Sequence, residues 1–365
     1  MPMLKPFTAA MIVPTGIGAS VGGFGGDATQ AMNLLASVSD VLITHPNVAN
    51  AAAFQQLPEN ALYVEGYGLD QFFKQHWALC PSRKNRIAVV FDQAIDPRML
   101  TLHLNTVNAV KTVYGVDIIG HILTEAPLAL SCTFDDSGCS SGRLENPKIL
   151  LTACHQALDQ GADAIAVCAV MPELTGETAY KNGQAVDPVG GIEAILSHLV
   201  VSTYQIPCAH APVFAWEDAQ PEYEKVLEPK VAAEFITPTF LPCVLTGLAQ
   251  APRFATVEEK QPHSITVSDL DVLVTPIDAL GGVPVLSAFE QNIPVIAVSE
   301  NTSVLDVTLE ALGLNSFDTI QIASSYYEAA GMVQAMRQGL NLNLPSASDV
   351  GLKNLLDINP IETVR

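Results

Sequence analysis

Three apolar runs in this sequence end in residues that can move protons. THPN (44–47) supplies His45 and Asn47, AHAP (209–212) supplies His210, and SEN (299–301) supplies Glu300 and Asn301. In open α/β sheets, ligands bind beyond the carboxyl ends of the strands. Imidazole and carboxylate side chains in those places point to general acid–base work by His45, His210 and Glu300. The same three offer nitrogen and oxygen donors to a divalent metal. No HxH or HxxxH spacing accompanies them, so no metal ligand is assigned. Glu65, in YVEGYGLD between glycine and aromatic neighbours, is the fourth catalytic candidate, because a carboxyl group buried there is tuned for proton exchange.

Glycine opens the segments that lead to these runs. SVGGFGGDAT (20–29) sets Gly22, Gly23, Gly25 and Gly26 before Asp27 and an apolar helical run. A helix start presents unpaired N–H groups and the positive end of the helix dipole, and glycines let an anion approach them. No Gly-Lys-Ser/Thr follows, and the spacing departs from GxGxxG, so neither a P-loop nor a dinucleotide fingerprint is present and no cofactor is identified. Asp27 fits a hydroxyl, an amine or a metal better than a phosphate, and as an N-cap it would make the stretch a structural turn.

Gly190–Gly191 and Gly281–Gly282 open two further stretches with the same order of glycine pair, helix, apolar strand and polar strand end. The expected ligand-binding set is therefore Gly22, Gly23, Gly25, Gly26, Asp27, Asn47, Gly190, Gly191, Gly281, Gly282 and Asn301. The expected ligand is a small anionic metabolite, held by an enzyme or by a non-catalytic binding or regulatory protein.

Other segments carry weaker signals. Cys168, in GADAIAVCAV, is similar to the strand-end thiol of aspartate/glutamate racemases, with Cys132, Cys139 or Cys208 as its opposing partner; its apolar neighbours also suit a core residue. CTFDDSGCSSGR (132–143) reads as a lid, an anion pocket around Arg143, or a solvated turn. DVLVTPIDALGGVPVLSAFEQNIPVIAVSEN resembles, over about 30 residues, a glycosyltransferase nucleotide-sugar lobe. That resemblance implies Gly281 and Gly282 at the phosphates and Glu300 near the sugar, although no basic residue stands by for a diphosphate.

The elements that must position these residues follow from the hydrophobic pattern. Runs at 9–15, 40–44, 86–92, 116–123, 163–170, 271–276, 294–299 and 319–324 are nearly all apolar, as in parallel strands buried on both faces. Between them lie amphipathic segments such as 97–114, with Asp96 as N-cap, Pro97 at the first turn and Gly115 at the stop, and 147–160, opened by Asn146 and Pro147. The expected class is α/β, with doubly wound, mostly parallel Rossmann-like sheets, glycine-opened helices and a weak internal echo. Residues 1–215 form the expected main part, 216–264 a charged, proline-rich surface excursion around a short helical piece, and 265–365 a C-terminal α/β unit; the alternative is that all three pack as one domain.

Composition narrows the partners. Of 365 residues 49% are hydrophobic and only 15% are charged, with a net charge of −21. So acidic a chain repels nucleic acid and anionic membrane surfaces, and so little charge favours a homo-oligomer. No run spans a bilayer. Seven cysteines without a CxxC pair fit reduced thiols in a cytoplasmic compartment.

VPTGIGASVGGFGGDA, LITHPNVANAA, YVEGYGLD and IPVIAVSEN together resemble domain-of-unknown-function family 3326, a family of cyanobacteria and plastid-bearing organisms, over nearly the whole chain. The resemblance implies a cytosolic or stromal protein and no particular reaction.

Overall fold

The structure is a computed structural model, and the residues described are 5–22, 28–49, 57–82, 85–134, 139–172, 185–217, 226, 229, 232, 237–313 and 320–342. Gly23, Gly25, Gly26 and Asp27 lie outside them.

Two parallel sheets organise the chain. The larger has six strands, β1 (Thr8–Met11), β2 (Val41–Thr44), β3 (Ala61–Tyr63), β12 (Leu270–Pro276), β13 (Val295–Val298) and β14 (Ile320–Ala323), in the order β14-β13-β12-β1-β2-β3. The smaller has β5 (Ile87–Phe91), β6 (Ile118–Leu123), β9 (Ala164–Val170) and β10 (Cys208–Val213), in the order β10-β9-β5-β6. All pairings within both sheets are parallel. Two antiparallel ribbons complete the strands: β4 (Trp77–Cys80) with β11 (Arg253–Thr256), and the hairpin of β7 (Leu130–Phe134) and β8 (Ser140–Leu144).

Side-chain alternation puts a different core on each face. In the larger sheet Met11, Leu42, Val274 and Val298 face one way and Ala10, Ile43, Leu273 and Ala297 the other. On the first face lie α1 (Thr29–Ser37) and α8 (Tyr326–Arg337); on the second lie α2 (Gly66–Phe73) and α7 (Val283–Glu290). The smaller sheet packs Ala88, Val90, Ile165 and Val167 against α4 (Pro147–Asp159) and α5 (Gly190–Tyr204). Its other face, with Val89, Phe91, Ala166 and Cys168, meets α3 (Pro97–Tyr114) and α6 (Leu241–Ala249) and joins the core of the larger sheet. Helices thus cover both faces of each sheet, which is the doubly wound α/β arrangement.

All eight strand segments read from the sequence are present. Asp96 caps α3, its carboxylate accepting the Arg98 N–H, and Gly115 ends the helix with φ +67°. Asn146 does not cap α4; its amide donates to the Pro127 carbonyl instead. Within the segment 132–143, residues 132–134 of β7 pair with residues 140–142 of β8.

The helical piece within 216–264 is also more than a surface excursion. In α6 every residue from Leu241 to Leu248 is buried, and the helix joins the core shared by the two sheets. The C-terminal segment contributes β12 to β14 to the sheet that β1 to β3 begin. Of the three echoed stretches, the first and third feed strands of the larger sheet and the second a strand of the smaller one. They share the helix-to-strand step that doubly wound sheets use throughout.

A buried glutamate, serine and histidine network between the two sheets

The backbone around Glu65 explains why an acid sits there. β3 ends at Tyr63, and α2 begins at Gly66. Glu65 is the N-cap, with one carboxylate oxygen accepting from the N–H groups of Tyr67 and Gly68. This satisfies two of the unpaired donors of the helix start. Its other oxygen faces α5, where it accepts from Ser197 Oγ at 3.2 Å and lies 3.0 Å from His198 Nε2. Ser197 Oγ is in turn 3.1 Å from His210 Nδ1 on β10. His210 Nε2 lies 3.8 Å from the Glu193 carboxylate, one helical turn before Ser197. The result is a continuous row from Glu193 through His210, Ser197 and Glu65 to His198.

The two imidazoles are pushed in opposite directions. Burial, with the neighbouring His198 charge, lowers the His210 pKa to about 3. At neutral pH it is uncharged, so its approach to Glu193 is not an ion pair. Burial alone would lower His198 too, but the hydrogen bond and charge of Glu65, aided by Asp70, outweigh it and raise the pKa. The His198 side chain is 41% exposed, against 4% for Glu65. Asp70 is raised by partial burial.

Local packing is tight. A Cβ on Gly66 would stand 3.0 Å from His198 Nε2, so glycine there keeps the imidazole against Glu65. Tyr67 lies beside both His198 and Trp77.

Of the four catalytic candidates, the structure joins Glu65 and His210. His210 is the third residue of six in β10, not a residue beyond the strand end. His45 and Glu300 are placed elsewhere, at the carboxyl ends of β2 and β13 in the larger sheet. His45 Nε2 accepts the Val13 N–H at 3.0 Å, and burial lowers its pKa to about 4. Asn47 donates to the carbonyls of Val13 and Pro14. Both side chains fasten the chain leaving β1. Glu300 is exposed and accepts the Tyr326 N–H at the start of α8. Asn301 is buried, holds both backbone groups of Val21 and donates to the Tyr326 hydroxyl.

The described glycine corners are close-packed. Gly16 O accepts from Asp187 N, and Val304 N donates to Ile17 O, so the loop after β1 joins the chain before α5 to the chain after β13. Gly22 has φ +79° and packs under Val13 and Ala28. A Cβ on Gly190 would touch Asp187 at 3.3 Å, and one on Gly191 would strike the Ser140 carbonyl at 2.3 Å. Gly191 N donates to Ser140 Oγ, which ties the β7–β8 hairpin to the start of α5. Gly281 backs onto Val307, and Gly282 is the N-cap of α7. The larger sheet reverses its winding between β1 and β12, the topological switch point at which such sheets bind ligands; the loop of residues 12–22 leaves β1 there.

Cys168 is wholly buried between β5 and β10, and burial drives its thiol far up. A thiol so desolvated is not the acid–base group of a racemase. None of the seven cysteines is in a disulfide. Among the described residues no group of three or more metal-ligating side chains forms, and no helix is long and apolar enough to cross a membrane.

Three members of the network, Glu193, Ser197 and His198, escaped the sequence reading. The signal lay in GGIEAILSHLVVSTY, where Glu193 and Ser197 stand four apart in an otherwise apolar helix and so share a face.

Residues 8–345 match the family described as Protein of unknown function (DUF3326). The chain belongs to this family. A Synechococcus protein named as an uncharacterized lipoprotein is 40% identical over 359 residues, covering 97% of each chain. No solved structure matches. The DUF3326 match takes in both sheets and every member of the network.

Proposed function

We propose that the protein is an enzyme that transfers a proton to or from a small anionic metabolite, with His210 as base and the His198–Glu65 pair as acid. One observation carries this reading: Ser197 links His210 to the Glu65–His198 pair, with His210 shut away from water, where burial favours its neutral form, and His198 half-exposed beside Glu65, which favours its charged form. Environments that drive neighbouring titratable groups apart are how folds divide acid from base. With Nδ1–H directed to Ser197 and the Ser197 hydroxyl directed to Glu65, His210 Nε2 carries the free lone pair. The Glu193 carboxylate lies 3.8 Å from that nitrogen. The half-exposed His198 edge supplies the positive charge for an anionic substrate and a proton to return.

The test is deuterium incorporation into carbon-bound positions of small carboxylates and phosphate esters in D2O, followed by mass spectrometry. Incorporation that His210→Gln and Glu65→Gln each reduce by at least a hundredfold is expected. Incorporation unaffected by either variant would overturn the assignment.

A second reading rests on a different feature. Both Glu65 oxygens are fully engaged and Ser197 is buried, as in a network that only holds α2, α5 and β10 together. In that case the protein binds a metabolite without turning it over, and ligand-induced stabilisation survives His210→Gln.

For location, we propose the reduced, cytoplasm-type compartment that suits seven free cysteines. The name of the Synechococcus relative brings in the alternative of a lipid-anchored protein. Fractionation of cells followed by intact-mass measurement distinguishes the two.

A further inference from the structure

We infer that the groove between the outer face of α3 and Trp216 is a second binding site, for an uncharged planar ring that carries a hydrogen-bond donor beside an acceptor. The site is independent of the catalytic reading and shares no residue with the Glu65–His210 network.

The groove encloses about 770 Å³, a volume typical of small-molecule sites. Arg98, Leu102, Asn105 and Ala109 recur along α3 at intervals of four, three and four, so they form one stripe of the helix. That stripe is one wall. Trp216, just beyond the end of β10, supplies the other.

The polar groups between these walls have a definite pattern. Thr101 Oγ donates to the Pro97 carbonyl and Thr106 Oγ to the Leu102 carbonyl. Each hydroxyl hydrogen is spent inside the helix, and each oxygen keeps a lone pair for an outside donor. Asn105 stands between them, and its side chain makes no hydrogen bond among the described residues. Its amide therefore presents a donor and an acceptor side by side. A ring edge with an N–H next to a ring nitrogen matches it, which is the pairing by which asparagine reads adenine.

Charge narrows the ligand further. α3 contains no acidic residue, and the one charge in the groove wall is Arg98. Its guanidinium carbon lies 5.0 Å from the centre of the Trp216 ring, and Asp96 and Glu217 hold it there. A cationic ligand would compete with that guanidinium for the indole. An anionic one would meet both carboxylates and a chain of net charge −21. An uncharged ring stacks on the indole and lies along Leu102 without either penalty.

The probe is 9-methyladenine, titrated against the full chain while tryptophan emission is recorded. Trp216 is the reporter, because the other tryptophan, Trp77, is only 7% exposed. Saturable quenching with a Kd of about 1 mM or tighter is expected. Ala109→Phe fills the groove and Asn105→Leu removes the amide. Each should raise the Kd about tenfold or more, with the melting transition retained, since both positions are exposed. Should Ala109→Phe fail to fold, Asn105→Leu decides alone. Dimethylation of the exocyclic amine of the probe deletes its donor and should weaken binding as much. Adenosine monophosphate should bind more weakly than the uncharged probe, with the gap closing as salt rises. Absence of saturable quenching by millimolar probe, a Kd unchanged in Asn105→Leu, equal affinity for the dimethylated probe, or tighter binding of the monophosphate would overturn the inference. Light scattering on the same samples tests the other occupant. A mass of twice the 38.8 kDa chain that Ala109→Phe returns to one would make the groove an interface between copies, and that too would overturn it.

Discussion

At the scale of single residues, Ser197 is the hinge of the network, since its one hydroxyl serves both Glu65 and His210. Ser197→Ala leaves a buried carboxylate oxygen and an imidazole nitrogen each short of a partner. A loss of about 1–3 kcal/mol is expected, read as a lower midpoint in chemical unfolding. The histidines also set a pH dependence with a definite sign. His45 and His210 hold folded pKa values near 4 and near 3, below their ordinary 6.5. Between those values the unfolded chain binds protons that the folded chain refuses, so stability falls as pH drops below 6.5. Each such histidine contributes a slope of about 1.4 kcal/mol per pH unit. His198, raised rather than lowered, acts the other way and withdraws stability as pH climbs through its folded value. Unfolding curves from pH 7 to pH 5 should therefore show a falling midpoint, and His45→Gln should flatten the fall while lowering stability at pH 7. A midpoint that rises on acidification would contradict the neutral state of both buried rings.

At the scale of elements, legibility in the sequence followed composition. Runs such as RIAVVFD and DVLVTP announce buried parallel strands because both faces are apolar. The hairpin β7–β8 was hidden by its serines and glycines: it lies flat on α5, where Gly142 gives room to Ile192, and needs no apolar run. β10 reads in the sequence as an apolar strand ending in AHAP; the strand instead continues through His210 and Pro212, polar and irregular residues that its edge position allows. α6 was read only as a short helical piece between charged, proline-rich segments, although LPCVLTGLA itself is apolar all round, the mark of a buried helix. Glu65 and His210 were legible as residues of interest; their union was not, since 145 positions of chain separate them and only the packing of α2 on α5 brings them together. Two glycine substitutions separate steric need from backbone need. Gly247→Ala in α6 would set a Cβ 2.6 Å from the Tyr63 ring, and overpacking of that kind costs about 1–3 kcal/mol. Gly115→Ala has open space around it but a φ of +67°, and should cost about 1 kcal/mol through strain alone. Thermal melts of the two should differ in another respect: repacking by Tyr63→Leu can relieve the first and not the second.

At the scale of the whole molecule, β1 is the central fact. It lies between β2 and β12, and Thr8 pairs in register with Leu270. A fragment ending at residue 264 lacks β12 to β14, so its larger sheet should stay open and β1 to β3 should exchange their amides freely, whereas in the full chain they should be protected. Protected β1 to β3 amides in that fragment would show that the first three strands form without the C-terminal segment. The same pairing dictates an order of events during synthesis. β5 to β10 fall within one continuous stretch of chain, so the smaller sheet can close while translation is still under way. β1 must wait with its inner edge bare until β12, some 260 residues further along the chain, has been made. Contacts this distant in sequence form slowly, and an apolar edge left open meanwhile is prone to wrong pairings. A strand made long before its partner is thus among the last to be finished, and a nascent chain stalled before residue 270 should be a preferred client of the chaperones that shelter unpaired strands.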